Sequence, residues 1–475
     1  MSTSKEVVSS EVRTATERLV ADVYSLDLAS LSPEVVAHVK RVVVDCVACA
    51  VGGAGSPPAI AVESVVAQLG GRPEATVIGS GTRTSSVLAS LANGTMLRYL
   101  DYMDTVLVES PAGAVSATHP SEVVMPLLAT AEANRCSGRQ LIEAIALAYE
   151  LAVVLCRTLE AVPLRNLGWH HATLAPYILP VTVARLCGAP PAQAVTATGL
   201  AGLHNIVLNI VDADDEEPTS ARSVVYPLVA ANCLVDVALA RAGIGGVPRI
   251  LEGSGGFAEV VGRRSWPVEG IRPDARCEGV LTVWTKPAVA CVLGQGATAA
   301  LLELVAEDRI SAGDVDRVRV RVKPAALAHM GGEIQRFPTS KETADHSLYF
   351  LSALAIRDGV IGPAQFTALN YEDQQIKALI ERVEVGVLDA KPADSVAAAA
   401  VTIRTRDGVL HERSVGIPPG HPERPFTDID AERKLRQCAR GRLSDAQLDH
   451  FLEAVGHLDS IEDVGDLLRP LTFST

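Results

Sequence analysis

Between Leu91 and Ser121 the chain reads LANGTMLRYLDYMDTVLVESPAGAVSATHPS, which brings acid, hydroxyl and imidazole side chains close together in sequence. Leu91, Met96, Leu97 and Leu100 are spaced for one apolar helical face. If that helix runs on, Asp101, Asp104 and Thr105 share a face one turn long. A helix C-terminus carries partial negative charge and disfavours carboxylates, so two of them there are poorly explained by stability. A loop of small residues, Ser110 to Thr118, then delivers His119 in front of Pro120. Acid, hydroxyl and imidazole beside such a loop suit proton transfer. The same residues also allow a structural reading, with Asp104 or Ser110 as a cap and His119 solvated in the loop.

Three further places hold polar residues that packing does not require. Gly168-Trp169-His170-His171 precedes a helix expected over Ala172 to Leu186. The helix dipole disfavours charged imidazole at that end, so a neutral ring, a potential base, is favoured. The alternative is that Trp169 anchors the turn and one histidine caps the helix. Lys286 lies in Lys286-Pro287-Ala288-Val289-Ala290-Cys291, where an ammonium must meet a carboxylate or backbone oxygens. Thr339 to Ser347 opens a helix expected over Ser340 to Arg357 and reads as a capped surface helix.

The chain that must position these residues has 475 residues, 48% of them hydrophobic, enough for a large core and more than one domain. Its net charge of -14 argues against nucleic acid and anionic membranes as partners. There is no secretory apolar segment, and no apolar run of the ~20 residues a bilayer requires. A cytoplasmic protein is expected. Nine scattered cysteines read as reduced thiols. Cys46 and Cys49 form a single C-x-x-C with no second pair, so helix core is favoured over metal.

From Ser9 to about Trp266 apolar residues recur at helical spacing, punctuated by Gly, Pro and Asn. After Trp266 the composition changes. Val315 to Val322 alternates with period two and reads as a half-buried strand. Arg382 to Val387 is a further strand, and Val396 to Thr405 and Val409 to Val415 flank the turn Arg406-Asp407-Gly408. The expected fold is mainly α with an α/β part. Residues 1–274 and 417–475 form one helical domain, and 275–416 form an inserted α/β lid.

The ordered set Asp45 to Ala50, Asn93-Gly94, Leu100 to Thr105, His119-Pro120-Ser121, Gly168-Trp169-His170, Leu251-Glu252-Gly253, Lys286-Pro287 and Ala344 to Ser347 resembles the MmgE/PrpD superfamily. Its members include 2-methylcitrate dehydratase, cis-aconitate decarboxylase and iminodisuccinate epimerase. The resemblance runs over nearly the whole chain. It implies a homodimer, a cleft between domains, no metal or organic cofactor, and proton transfer beside a carboxylate of a small polycarboxylic acid. It carries catalytic roles onto Asp101, Thr105, His119, His170 or His171, and Lys286, with Asp104 beside them. His119 and one of His170 and His171 would act as acid and base. Asp101 would orient an imidazole, and Thr105 would hold a substrate carboxylate or hydroxyl.

Two features depart from the family pattern. Where the family has a lysine ahead of the helix that follows, this chain has Ser223, with Arg222 beside it. Where one branch has a basic loop, this chain reads Asp212-Ala213-Asp214-Asp215-Glu216-Glu217. Arg222 and Ser223 are therefore expected to contact substrate, with Arg222 and Lys286 facing developing charge. The expectation is a cofactor-independent lyase, foremost a dehydratase of a 2-methylcitrate-like hydroxy acid. Decarboxylation, isomerisation and a non-catalytic binding role are the alternatives.

Overall fold

A computed structural model describes residues 13–109, 115–159, 162–213, 216–263, 266–366, 368–389, 391 and 394–473. Its larger part is a helical body in which small side chains permit close crossings. The Pro33–Gly53 helix begins as Ser32 Oγ accepts from Val35 N at 3.2 Å, with Pro33 at the first position. It crosses the Ser86–Tyr99 helix so closely that a Cβ on Gly53 would lie 2.0 Å from the Met96 carbonyl oxygen. Cys46 and Cys49 are fully buried in the first of these helices, which is the core role expected for them.

The Asp428–Ala439 helix packs onto Pro33–Gly53. Lys434 Nζ lies 2.7 Å from Asp45 Oδ1 and donates to the Tyr102 carbonyl at 2.6 Å. Asp45, the acid that interrupts an apolar run, thus receives its counterion from a segment distant in sequence, and the C-terminal helices join the N-terminal body. The segment 220–241 is long and apolar enough by composition to cross a bilayer, yet most of it is buried in this body.

A four-stranded sheet runs in the order Val383–Val387, Val315–Val322, Ala399–Thr405, Leu410–Val415. The first pair is parallel and the others antiparallel. Val315, Val318, Val320 and Val322 are buried while their neighbours are exposed, as period-two alternation requires. The Gln295–Glu307 helix packs on the two C-terminal strands and Leu348–Asp358 on Val383–Val387. The turn at 406–408 is closed by Gly408 at φ +90°, a conformation that glycine adopts without strain.

Residues 275–287, expected in the α/β unit, lie against the helical body instead. Gly279 N donates to Glu150 Oε2 at 2.9 Å, and Trp284 and Thr105 exchange backbone hydrogen bonds of 2.7 and 2.9 Å. Two expected helices are broken. His171–Tyr177 is a 3-10 segment separated from the Leu179–Leu186 helix, with Pro176 and Pro180 withholding backbone donors. Ser340–Arg357 divides into Lys341–Ala344 and Leu348–Asp358, because Ser347 Oγ accepts from Phe350 N and caps a new helix.

Candidate active site

A cavity of about 340 Å³ opens between the two parts of the chain, at the small end of the ~300–1,000 Å³ usual for ligand sites. Asp101, Thr105, His119, His170, His171, Arg222 and Lys286 all line it, and Asp104 and Ser223 do not.

The Ser86–Tyr99 helix stops before Asp101, which sits in the left-handed region at φ +46°. Aspartate tolerates this conformation better than most residues. Asp101, Asp104 and Thr105 therefore do not share a helical face as expected. The Asp101 carbonyl accepts from Lys286 Nζ at 2.8 Å. Its Oδ1 lies 3.1 Å from the same ammonium and 2.9 Å from Arg98 Nη1. Burial would raise the Asp101 pKa, but Lys286, His346, Arg98 and Arg222 hold it well below the carboxylate range. Asp104 turns inward, accepting from Ser121 N at 3.0 Å and Tyr149 Oη at 2.7 Å. Burial pushes its pKa up to about 6. It supports the loop from behind.

Strands Val106–Glu109 and Val115–Thr118 pair antiparallel and lead into His119, so this segment is a hairpin where a loop was expected. Ser110 lies outside the described residues. His119 Nδ1 donates to the Asp104 carbonyl at 2.8 Å, with Thr105 Oγ1 2.9 Å away. Its neutral ring therefore carries the lone pair on Nε2. Burial, with Arg98, His171 and Lys286 nearby, keeps its pKa well below the ordinary value.

His170 has the opposite tautomer. Its Nδ1 accepts from Ala172 N at 3.2 Å, so Nε2 carries the hydrogen. That Nε2 is buried without a hydrogen-bond partner among the described residues. Burial and His171 hold its pKa well below 6.5. His171 lies 4.0 Å from His170 between ring centroids, and its Nε2 donates to Glu122 at 2.9 Å. Burial, with Arg98 next, lowers its pKa to about 3. Burial also pushes Glu122 up to about 7 despite Arg98 Nε at 3.3 Å. All three rings thus favour the neutral form.

Sequence reasoning missed Asp345 and His346. These residues, expected on a surface helix, are 0% and 4% exposed at the break between two helices. His346 Nδ1 lies 2.5 Å from Asp345 Oδ1, and Lys341 Nζ lies 3.0 Å from Asp345 Oδ2. Arg222 reaches both ring nitrogens, at 3.1 and 2.9 Å, and Asp212 Oδ1 at 2.8 Å. The available signal was a polar trio, Asp345-His346-Ser347, set in an apolar segment. Arg98 and Glu122 were not singled out either, though Arg98 pairs with Asp101 and Glu122 with His171. Among the described residues of the acidic run, only Asp212 lines the cavity. Glu217 accepts from Thr339 Oγ1 at 3.3 Å, and Asp214 and Asp215 lie outside the described residues. Ser223 is 2% exposed in the turn Ser220–Ser223 and does not line the cavity.

Linear spacing shows no metal-ligand cluster, but the fold assembles two among the described residues. Cys291, His329 and His346 place ligand atoms within 4.8 Å of one another, as do Asp101, Asp345 and His346. Both groups depend on His346. Its nitrogens already face Asp345 and the Arg222 guanidinium, so an ion entering there would displace a charged partner. The set does not fit a resident metal, and no step is routed through one.

Residues 17–268 match the family model of the MmgE/PrpD N-terminal domain, and residues 289–460 that of the C-terminal domain. The chain is 21% identical over 470 residues to the cis-aconitate decarboxylase-like protein oryM of Aspergillus oryzae, covering 94% of this chain and 95% of that one. It is 21% identical over 491 residues to the cis-aconitate decarboxylase of Mus musculus, covering 97% and 94%.

Proposed function

The chain belongs to the MmgE/PrpD family, and from that premise we propose that it is a lyase that dehydrates a hydroxy carboxylic acid without a cofactor. The observation that carries this reading is the pair of complementary imidazoles in one cavity: His119 with a free lone pair on Nε2, and His170 with an unpartnered N–H. His119 takes the proton next to the substrate carboxylate. The electron pair moves toward the carboxylate oxygens, where Lys286 and Arg222 supply positive charge. The carbon–oxygen bond to the hydroxyl then breaks, and His119 returns its proton to the departing oxygen. His170 remains neutral and donates a hydrogen bond to the oxygen that gains charge, the role of a neutral imidazole electrophile. Asp101 fixes Lys286, and Thr105 shares the Nδ1–H of His119 while its own hydroxyl stays free to donate.

Decarboxylation is the second reading, supported by the names of the relatives. It needs a proton donor for the carbanion left when carbon dioxide departs, so His119 would have to enter that reaction protonated. The expected assembly is a homodimer. Leu228, Val235 and Leu239 are exposed along one face of the Val225–Arg241 helix and suit burial against a second copy. Incubating purified protein with a panel of hydroxy acids and unsaturated polycarboxylates, with mass spectrometry of products, tests the reading. Loss of water supports it. Release of carbon dioxide alone replaces it with decarboxylation.

A further inference from the structure

We infer that Cys291 is a nucleophilic thiol of the cavity that takes a covalent adduct from small α,β-unsaturated carboxylic acids. The class of acid rests on the lyase reading above, since loss of water beside a carboxylate leaves a conjugated double bond; the nucleophile itself does not rest on it. Cys291 ends the Lys286–Cys291 stretch and lines the cavity at 7% exposure. Its backbone N–H donates to the Asp345 carbonyl at 2.9 Å, which seats it beside the Asp345-His346 pair. Its Sγ lies within 4.8 Å of a ring nitrogen of both His329 and His346, whose rings meet edge to face with centroids 5.0 Å apart. On the far side of His346, Asp345 Oδ1 is 2.5 Å from Nδ1. Thiol, imidazole and orienting carboxylate together form the arrangement that activates a nucleophile.

The charges around the thiol come from several elements. Arg222 lies 3.1 and 2.9 Å from the two His346 nitrogens, and Arg165 Nη2 lies 3.5 Å from His329 Nδ1. Asp101 Oδ2 is 3.7 Å from His346 Nε2, and Lys341 holds Asp345 at 3.0 Å. Burial alone would raise the Cys291 pKa, but His346 and then His329 bring it down to about 5. Asp345 and Cys291 in turn raise His346 above 6.5 against burial and Arg222, so near neutrality the pair is thiolate and imidazolium. Cys156 provides the contrast. It lines the same cavity without such partners, and burial pushes its pKa up to about 12. Burial also raises the other seven cysteines. In the addition, the Cys291 sulfur attacks the β-carbon of the acid and a C–S bond forms. The π pair shifts to the α-carbon, which takes the proton of the His346 imidazolium. A thioether and a neutral imidazole remain, and the adduct occupies the cavity and stops turnover.

Labelling the full-length protein with iodoacetamide at pH 6, with mass spectrometry of its peptides, tests the inference. Cys291 should react on the order of a hundredfold or more faster than Cys156, because thiolate fraction outweighs the weaker nucleophilicity of a low-pKa sulfur. Monomethyl fumarate should leave a thioether at Cys291 and protect it from iodoacetamide. His346→Gln should slow Cys291 labelling at pH 6 by on the order of tenfold, with the difference lost at pH 9. His329→Gln gives the same readout if that variant does not fold. Equal labelling of Cys156 and Cys291, or an inert Cys291 at pH 6, overturns the inference. Iodoacetamide labelling with no fumarate adduct overturns the assignment to unsaturated acids. If hydroxy acids lose water while Cys291 is inert, the lyase reading stands and this inference alone falls. If Cys291 forms the adduct and no acid is turned over, the inference stands and the lyase reading falls.

Discussion

Two buried lysine–carboxylate pairs lie close together in this molecule and do different work. Lys434 meets Asp45 at 2.7 Å, and Lys286 meets Asp101 at 3.1 Å. Lys434 even approaches the Lys286 carbonyl at 3.4 Å. Asp45 has essentially one strong cation, and burial wins: its pKa is raised. Asp101 is as deeply buried, yet Lys286, His346, Arg98 and Arg222 together pull its pKa well down. The first pair is sealed in the core, and the second forms the floor of the cavity. Whether a buried acid stays ionised depends less on its depth than on how many cations converge on it.

The largest expected effect separates the two pairs directly. Lys286→Met should lower turnover by about a thousandfold, the scale of losing a charged group at a developing anion, with the protein still folded by circular dichroism. Lys434→Met should instead cost about 3–5 kcal/mol of stability, as expected when a buried carboxylate loses its partner, and denaturant melts would read it. The double change Asp45→Leu with Lys434→Met should recover most of that stability. If Lys434→Met leaves the melt unchanged, the core pair is not structural and the contrast fails. Next, Arg222→Ala should reduce activity by on the order of a hundredfold. Ser223→Lys should change little, because Ser223 does not line the cavity. Steady-state kinetics that rank these two variants the other way would move the anion site from Arg222 to residue 223.

A smaller effect follows from protons. His119, His170 and His171 resist protonation when folded but take protons near 6.5 when unfolded. The unfolded chain therefore binds more protons below that pH, and stability falls as pH drops through 6.5, by up to about 1.4 kcal/mol per unit for each ring. Glu122, pushed up to about 7, works in the opposite sense between 4.5 and 7. Glu122→Gln should therefore steepen the decline, which chemical melts from pH 7 down to 5 would detect. The smallest expected effect is none: activity should survive EDTA, checked by assay and elemental analysis. Stoichiometric zinc with loss of activity on chelation would reassign Cys291, His329 and His346 as ligands.

The helical body, the sheet and its hairpin were legible because each rests on local periodicity and turn chemistry. Asp101, His119 and Lys286 could be singled out because their types and order carry a motif. Asp104 was misread because the helix ends at Tyr99: once residue 101 adopts a left-handed conformation, spacing no longer says which way the following side chains point. His346 was missed for a different reason. Its role comes from Arg222 and Asp101, contacts across the fold that no local window contains, and its own segment looks like an ordinary capped helix. Asp212 was read as part of an acidic run, and only the tertiary structure separates it from its neighbours.

The hydrogen bond from Lys434 to the Tyr102 carbonyl has a consequence for how the molecule is made. Residue 434 fastens the loop that carries Asp101, and it supplies the only close cation for Asp45 among the pairs described. During synthesis the earlier helices emerge first and begin to pack, but Asp45 then sits in an apolar helix with no counterion and the loop is untied. A chain stopped between residues 346 and 434 carries every residue of the cavity and still lacks the anchor that holds them in place. Such a fragment should be retained by chaperones or degraded, so that only chains read through that helix contribute activity.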